Sequence, residues 1–295
     1  MKLVSFSKYA QGAQEARIGI VVNDRIIDVA AHLADVPSDM IGLINQWTAQ
    51  RPRFEALAGK AGGADELVLA DVTLLAPVPR PGKIFGIGLN YADHIAESGM
   101  GRPADQVWFA KAVTSTNAPF ASIELPLAST QLDYEAELAF VIGTRCRNVP
   151  VERAHEVIFG YCAANDVSVR DWQLKTSQFV LGKSFDTHCP YGPWIVTSDE
   201  LGDPHALDIR CFVNGEIRQS SNTKELIYNC FEQVAHLSQA MTLEPGDLIL
   251  TGTPGGVGIG FKPARWLQAG DVVRVEIDRI GMIENRVVAQ SASIF

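Results

Sequence analysis

Numerous short strand signals, few helical stretches and no regular alternation between them predict an α+β, sheet-dominated fold for this chain of 295 residues. Two-residue turn signals join apolar runs in "RIGIVV-ND-RIIDVA" and in "FVNGEIR", and Asn-Gly is the strongest short hairpin signal there is. Apolar runs such as "LAFVI" and "GDLILTG" have strand length rather than helix length. The irregular order of strands and helices argues against a doubly wound or (β/α)8 arrangement.

Taken in chain order, residues 1 to about 40 read as short strands, with Asn23-Asp24 as a hairpin turn. "DMIGLINQWTAQRPRFEALAGKAGG" follows, with Met40, Leu43, Ile44 and Trp47 at helical spacing and glycines at its end. In "LLAPVPRPGKI", Pro77, Pro79 and Pro81 alternate, which suits an extended linker. A boundary near residue 75 is therefore expected, with a small N-terminal α+β domain at 1–75 and a larger catalytic domain at 76–295. Asn90 and Asp93 in "GLNYADHIAESG" resemble a capping box opening a short helix that Gly99 ends. "TKELIYNCFEQVAHLSQAM" reads as a helix, with Leu226, Ile227, Cys230, Phe231, Val234 and Leu237 on one face and Asn222 as its cap. "GDVVRVEID" and "MIENRVV" are further strands.

A net charge of −9 with no basic cluster argues against nucleic acid as a partner. No apolar run approaches the roughly eighteen residues of a membrane span, and the N-terminus turns polar too early for a signal peptide. The five cysteines show no C-x-x-C spacing, which points to a reduced, cytoplasmic protein. Nucleotide binding is not supported either. Gly86-Ile-Gly88 lacks the third glycine of a dinucleotide fingerprint, "LGKS" lacks the first glycine of a P-loop, and no suitably placed lysine follows "TGTPGGVGIG".

The chemistry concentrates in "DYEAELAFVIG". Alternate strand residues point to one face, about 6.5–7 Å apart, so Glu135 and Glu137 repel each other and resist burial together. Two readings fit: an edge strand with both glutamates in solvent, or a pair of ligands for a hard cation. Asp166, delivered by the apolar stretch "VIFGYCAA", is the third ligand in the second reading. Three carboxylates with no Cys or His suit Mg2+ or Mn2+.

His94 and Glu97 are i and i+3 neighbours on the short helix, either an exposed pair without a role or an imidazole oriented as a general base. Lys183 follows a glycine and precedes a turn-rich loop. There it is either a solvated surface residue or a cation that neutralises the carboxylates and holds an anion. Arg170 and Gln173 share a side with Asp166 if a helix begins there, offering donors to a carboxylate substrate; each is equally compatible with a surface position.

Together, "GLNYADHIAESG", "DYEAELAFVIG", "NDVSVRDWQ", "LGKSFDTHCPYGP" and "TGTPGGVG" resemble the fumarylacetoacetate hydrolase family, in order and over about residues 75–285. They resemble especially its bacterial and mitochondrial members with a short N-terminal domain. The resemblance implies a mixed β-sandwich roll and a homodimer. It implies that Glu135, Glu137 and Asp166 bind Mg2+ or Mn2+, that Lys183 is the active-site lysine, and that His94 with Glu97 is a water-activating dyad on a mobile lid. Thr253 matches a residue near the substrate carboxylate. The implied function is metal-dependent hydrolysis of a C–C bond in an acylpyruvate or 2,4-diketo acid, a small anionic keto acid, through a pyruvate enolate. Members of the family also tautomerise or decarboxylate oxaloacetate or isomerise dienoate diacids. A catalytically silent metal-binding homologue is the reading from another class.

Overall fold

The computed structural model describes residues 1–8, 16–63, 66–93, 95, 101 and 103–292. Among them no helix is long and apolar enough to cross a membrane. Strands β1 (Lys2–Ser7), β2 (Arg17–Val22) and β3 (Arg25–Asp28) form an antiparallel meander. Its β2–β3 turn is made by Asn23 and Asp24 at φ 47° and 61°, the positive values that a two-residue hairpin matched to strand twist demands. The expected helix in the next segment is two helices, Met40–Asn45 and Trp47–Ala58, with the Asp39 side chain accepting from the Gly42 N–H at the first start. Strands β4 (Leu67–Val68) and β5 (Thr73–Leu74) complete this part by pairing with β3 and β1.

The remaining strands build two large sheets. The first takes β6 (Ile84–Gly88), β7 (Val107–Ala110), β8 (Thr116–Asn117), and, after β9 (Ile123–Leu125) and β10 (Leu132–Asp133), the long central strand β11 (Ala136–Ile142). It continues with β12 (Ile158–Asn165), β14 (Cys189–Thr197) and β17 (Leu248–Leu250); the short β13 (Ser168–Val169) pairs separately with β10. The order is β4-β3-β2-β1-β14-β12-β11-β17-β6-β7, with β5 and β8 on its flanks. Pairing is mostly antiparallel, with β17–β6 and β14–β8 parallel, so the sheet is mixed. The second sheet is β16-β15-β18-β19-β9, from β15 (Asp208–Val213), β16 (Glu216–Asn222), β18 (Val272–Ile277), β19 (Gly281–Ala289) and β9.

Strand β11 shows why its sequence is apolar without interruption. All seven of its residues are buried, because it is covered on both faces. Leu138, Phe140 and Ile142 point into a core shared with Ile209, Val273 and Val275 of the second sheet. Ala139 and Val141 point the other way, into a core shared with Leu3, Met40, Leu43 and Phe54 of the N-terminal segment. The first sheet therefore lies between two hydrophobic layers, and β1 joins it directly through its pairing with β14. This is a sheet-dominated mixed α+β architecture, as the sequence predicts.

Two local expectations change. The helix expected over "TKELIYNCFEQVAHLSQAM" begins only at Cys230 and runs to Ala240, opened by a capping box between Asn229 and Glu232. Asn222 does cap, but it caps a single 3-10 turn, Thr223–Glu225, by accepting from the Lys224 N–H. The Asn90 side chain is buried and makes no capping box with Asp93. Its Nδ2 donates to the carbonyls of Tyr228 and Thr251 at 3.0 and 2.7 Å, and its Oδ1 accepts from the Tyr228 N–H at 2.9 Å. Asp93 instead accepts from the Ser221 hydroxyl at 2.8 Å.

Candidate metal centre and active site

Strand register assembles the carboxylates. In the antiparallel β11–β12 pair, Ala136 faces Asn165 and Glu137 faces Ala164. One step further, Asp166 comes opposite Glu135, and its N–H donates to the Glu135 carbonyl at 2.9 Å. Opposed residues share a face, so Glu135, Glu137 and Asp166 project together. Their ligand oxygens lie within 4.8 Å of one another, and all three residues are buried. The edge-strand reading with solvated glutamates is thereby excluded. A hard-oxygen donor set of this kind fits Mg2+ or Mn2+, which take carboxylate oxygens and complete their shell with water or substrate.

Buried cations hold these carboxylates in place. The Lys183 ammonium donates to Glu135 Oε2 and Asp166 Oδ2, both at 2.7 Å, and lies 4.9 Å from the centre of the Phe109 ring. Lys111, equally buried, donates to the other Asp166 oxygen at 2.6 Å. Arg170 bonds to Asp133 Oδ2 at 2.8 Å and to Glu135 Oε1 at 2.6 Å. Burial pulls Lys183 down, yet the charges of Asp166 and Glu135 outweigh it and hold the amine above its ordinary value. Among the described residues no such cation is bonded to Glu137; its Oε2 accepts the Gly252 N–H at 2.6 Å. Burial first, then the neighbouring Asp166 and Glu135 charges, push Glu137 well above the usual carboxylate range. A divalent ion would reverse that by supplying the missing counter-charge.

The glycine-rich "TGTPGGVG" segment is a backbone clamp on the carboxylate strand and not a phosphate loop. Thr251 and Thr253 hydroxyls donate to the carbonyls of Leu138 and Ala136 at 2.8 and 2.9 Å. Gly252 takes φ 100°, a conformation few side chains allow, and so aims its N–H at Glu137. Further on, the Gly258 and Ile259 N–H groups bond Asp133 at 2.7 and 3.0 Å.

A cavity of about 370 Å³ opens onto this cluster. Glu135, Arg170, Gln173, Lys183, Thr253 and Lys262 line it, and Ile87, Phe109, Leu174, Phe179, Val257 and Ile259 form its apolar wall. Arg170 and Gln173 sit on the short helix Arg170–Gln173, where Gln173 Oε1 accepts from Arg170 Nη1 at 2.8 Å. Among the described residues, Arg170 Nη2 is buried without a partner, a donor left over after Asp133 and Glu135 are satisfied. The Thr253 hydroxyl has its proton engaged by Ala136 and accepts from Gln219 Nε2 at 2.8 Å, so it has no proton left to donate to a ligand. His94 and Glu97 lie outside the described residues. Sequence reasoning missed Lys111 and Asp133. The signal for Lys111 is faint, a lysine placed directly after the apolar strand "VWFA". Asp133 stands in the same quoted segment as the two glutamates, but no local pattern shows that it anchors Arg170.

Comparison with known proteins agrees with this geometry. The family model described as fumarylacetoacetate (FAA) hydrolase C-terminal matches residues 83–288. The mitochondrial oxaloacetate tautomerase fahd2 of Xenopus laevis is 42% identical over 292 residues, covering 98% of this chain and 90% of the relative. Among solved structures, a fumarylacetoacetate hydrolase from Exiguobacterium antarcticum has a TM-score of 0.83 at 39% identity, covering 98% of this chain and all of that one. Maleylpyruvate hydrolase from Sphingobium sp. SYK-6, crystallised with manganese(II) and pyruvate, has a TM-score of 0.82 at 35% identity, covering 99% of this chain and all of that one. Agreement over nearly the whole length, in sequence and in fold, leaves one assignment: the chain belongs to the fumarylacetoacetate hydrolase family.

Proposed function

We propose that this chain is a Mg2+- or Mn2+-dependent enzyme of small 2-oxo acids, working through an enolate, and that its reaction is keto–enol tautomerisation of oxaloacetate. The observation that carries the enolate chemistry is the buried Lys183 ammonium, 2.7 Å from both Glu135 and Asp166 on the lining of the cavity. A fixed, desolvated cation stabilises an oxyanion forming beside it without the reorganisation that water would require. A divalent ion, for which Glu135, Glu137 and Asp166 are the ligands, would supply Lewis-acid stabilisation of the same charge when bound. Arg170 Nη2 offers a further donor for a substrate carboxylate, and the apolar wall lines the cavity beside it. Tautomerisation moves one proton from C3 to the C2 oxygen and consumes no water.

Support for this reaction over others comes from the tautomerase relatives, 40–42% identical and matched over most of their length. The second reading is the C–C hydrolysis expected from the sequence, favoured by the likeness to maleylpyruvate hydrolase at 35% identity. Hydrolysis requires an activated water in addition, the role assigned to His94 with Glu97. A homodimer belongs to the same family reading and is measured by light scattering.

The test follows the ultraviolet absorbance of oxaloacetate enol in Mg2+, beside cleavage of a simple acylpyruvate. Accelerated enol–keto exchange without acylpyruvate cleavage is the expected result, and Lys183→Met should slow it by roughly 10²–10³, the worth of one oxyanion-stabilising donor. Rapid acylpyruvate cleavage with no acceleration of the exchange would replace this reading with the hydrolase. In that case His94→Ala should lower kcat by about 10²–10⁴.

A further inference from the structure

Among the described residues, the cavity carries one cation whose charge no carboxylate offsets. Four buried carboxylates, Asp133, Glu135, Glu137 and Asp166, face three buried cations, Lys111, Arg170 and Lys183. A divalent ion and the head carboxylate of a 2-oxo acid bring that cluster to electrical balance. A second carboxylate on the substrate then needs a positive group of its own, because an unpaired charge in a partly desolvated cavity is costly. Arg170 still offers a donor, but its charge is already matched by Asp133 and Glu135. The apolar wall offers nothing to an anion.

Among the described residues, Lys262 is the remaining candidate. It lines the same cavity beside Ile259 and Gly260, it is exposed, and among the described residues no hydrogen bond or ion pair engages it. Its flexible four-carbon stem lets the ammonium follow a carboxylate of varying reach. Resting on the reading that this site acts on 2-oxo acids, we propose that Lys262 receives the distal carboxylate of dicarboxylic substrates. It thereby sets a preference for dianions over monocarboxylic 2-oxo acids.

Lys262→Met removes the charge at nearly constant length, and Lys262→Arg keeps it. For oxaloacetate turnover, Lys262→Met should raise KM about tenfold, the scale of one charge-assisted hydrogen bond, with kcat within about twofold. Lys262→Arg should recover most of the loss. Inhibition by pyruvate, which has the head group alone, should not change. A second measurement needs no turnover: calorimetric binding of 2-oxoglutarate and of pyruvate to the Mg2+-loaded protein. Wild type should favour 2-oxoglutarate, and Lys262→Met should erase the difference. If wild type fails to turn over oxaloacetate yet shows that binding preference, the reaction assigned above falls and the role of Lys262 stands. Equal affinities in wild type, an unchanged preference in Lys262→Met, or an equal loss for both ligands would each overturn it.

Discussion

Glu137 is the residue on which the metal reading bears most directly. It is fully buried, receives one backbone N–H, and stands well above the carboxylate range because burial and then Asp166 and Glu135 oppose its charge. Glu137→Gln imitates its protonated form, so the chelator-treated variant should melt at or above wild type. Mg2+ should raise the wild-type melting temperature, since a ligand at roughly a hundred times its Kd adds about 2.7 kcal/mol. Differential scanning calorimetry should find that increment absent in Glu137→Gln; an equal Mg2+ effect in both proteins would remove Glu137 from the ligand set. His188 bears on pH. Its Nε2 donates to the Glu124 carbonyl at 2.8 Å, and its ring stacks on Phe185. Burial pulls it down to about 4, against that hydrogen bond and with help from Lys111. The unfolded imidazole titrates near 6.5, so the folded state loses relative stability as pH falls from about 6.5 towards 4. Urea unfolding at pH 7 and pH 5 should show about 2 kcal/mol of this loss in wild type and much less in His188→Gln. Cys189 is fully buried, and its thiol is pushed up to about 12, chiefly by burial.

At the scale of elements, the loop carrying Lys183 must lie against the helix Arg170–Gln173. Gly182 makes that approach possible, since a Cβ there would stand 2.2 Å from the Gln173 nitrogen and 2.4 Å from its Cα. Those atoms belong to backbone and cannot rotate away. Gly182→Ala should therefore push the two segments apart, displace the Lys183 ammonium from Glu135 and Asp166, and lower kcat at least tenfold. A loss of about 1–3 kcal/mol in urea should accompany it, the usual cost of overpacking. Wild-type kcat in Gly182→Ala would show that the spacing of these elements is not required. The helix Cys230–Ala240 illustrates what local pattern conceals. Asn222 and Asn229 both have capping chemistry, and both cap, but only Asn229 with Glu232 three residues on completes a capping box. Leu226 and Ile227 fit the helical spacing, yet Tyr91 bridges to Leu226 and the Ile227 N–H donates to the Asn90 carbonyl at 2.8 Å. Those long-range bonds hold the preceding segment out of the helix.

For the whole molecule, the N-terminal segment is a covering layer of the central sheet. Strand β1 extends that sheet from β14, and Leu3, Ile20, Met40 and Phe54 share one core with Ala139, Val141 and Ile195. Removing residues 1–75 would open the β14 edge and bare the apolar face beneath it. The fragment 76–295 should accumulate in the insoluble fraction when expressed alone, whereas the full chain stays in solution. A soluble, metal-binding fragment would establish the larger segment as an independent folding unit.

What the sequence determined by itself lies within a few residues' reach. The Asn23-Asp24 and Asn214-Gly215 turns were legible because positive φ is a property of the residue and its neighbours, and both hairpins form there. So were the strands, the apolar run of β11, and the carboxylates that stand out against it. Quoted together, the motifs also identified the family. Only the tertiary structure decided which charges meet. Lys111 reaches Asp166 across 55 positions, and Gly252 reaches Glu137 across 115. Arg170 is anchored by Asp133 at a distance of 37 positions. Such pairings follow from strand register and sheet order, which depend on how distant apolar faces pack against one another, and no local periodicity encodes them.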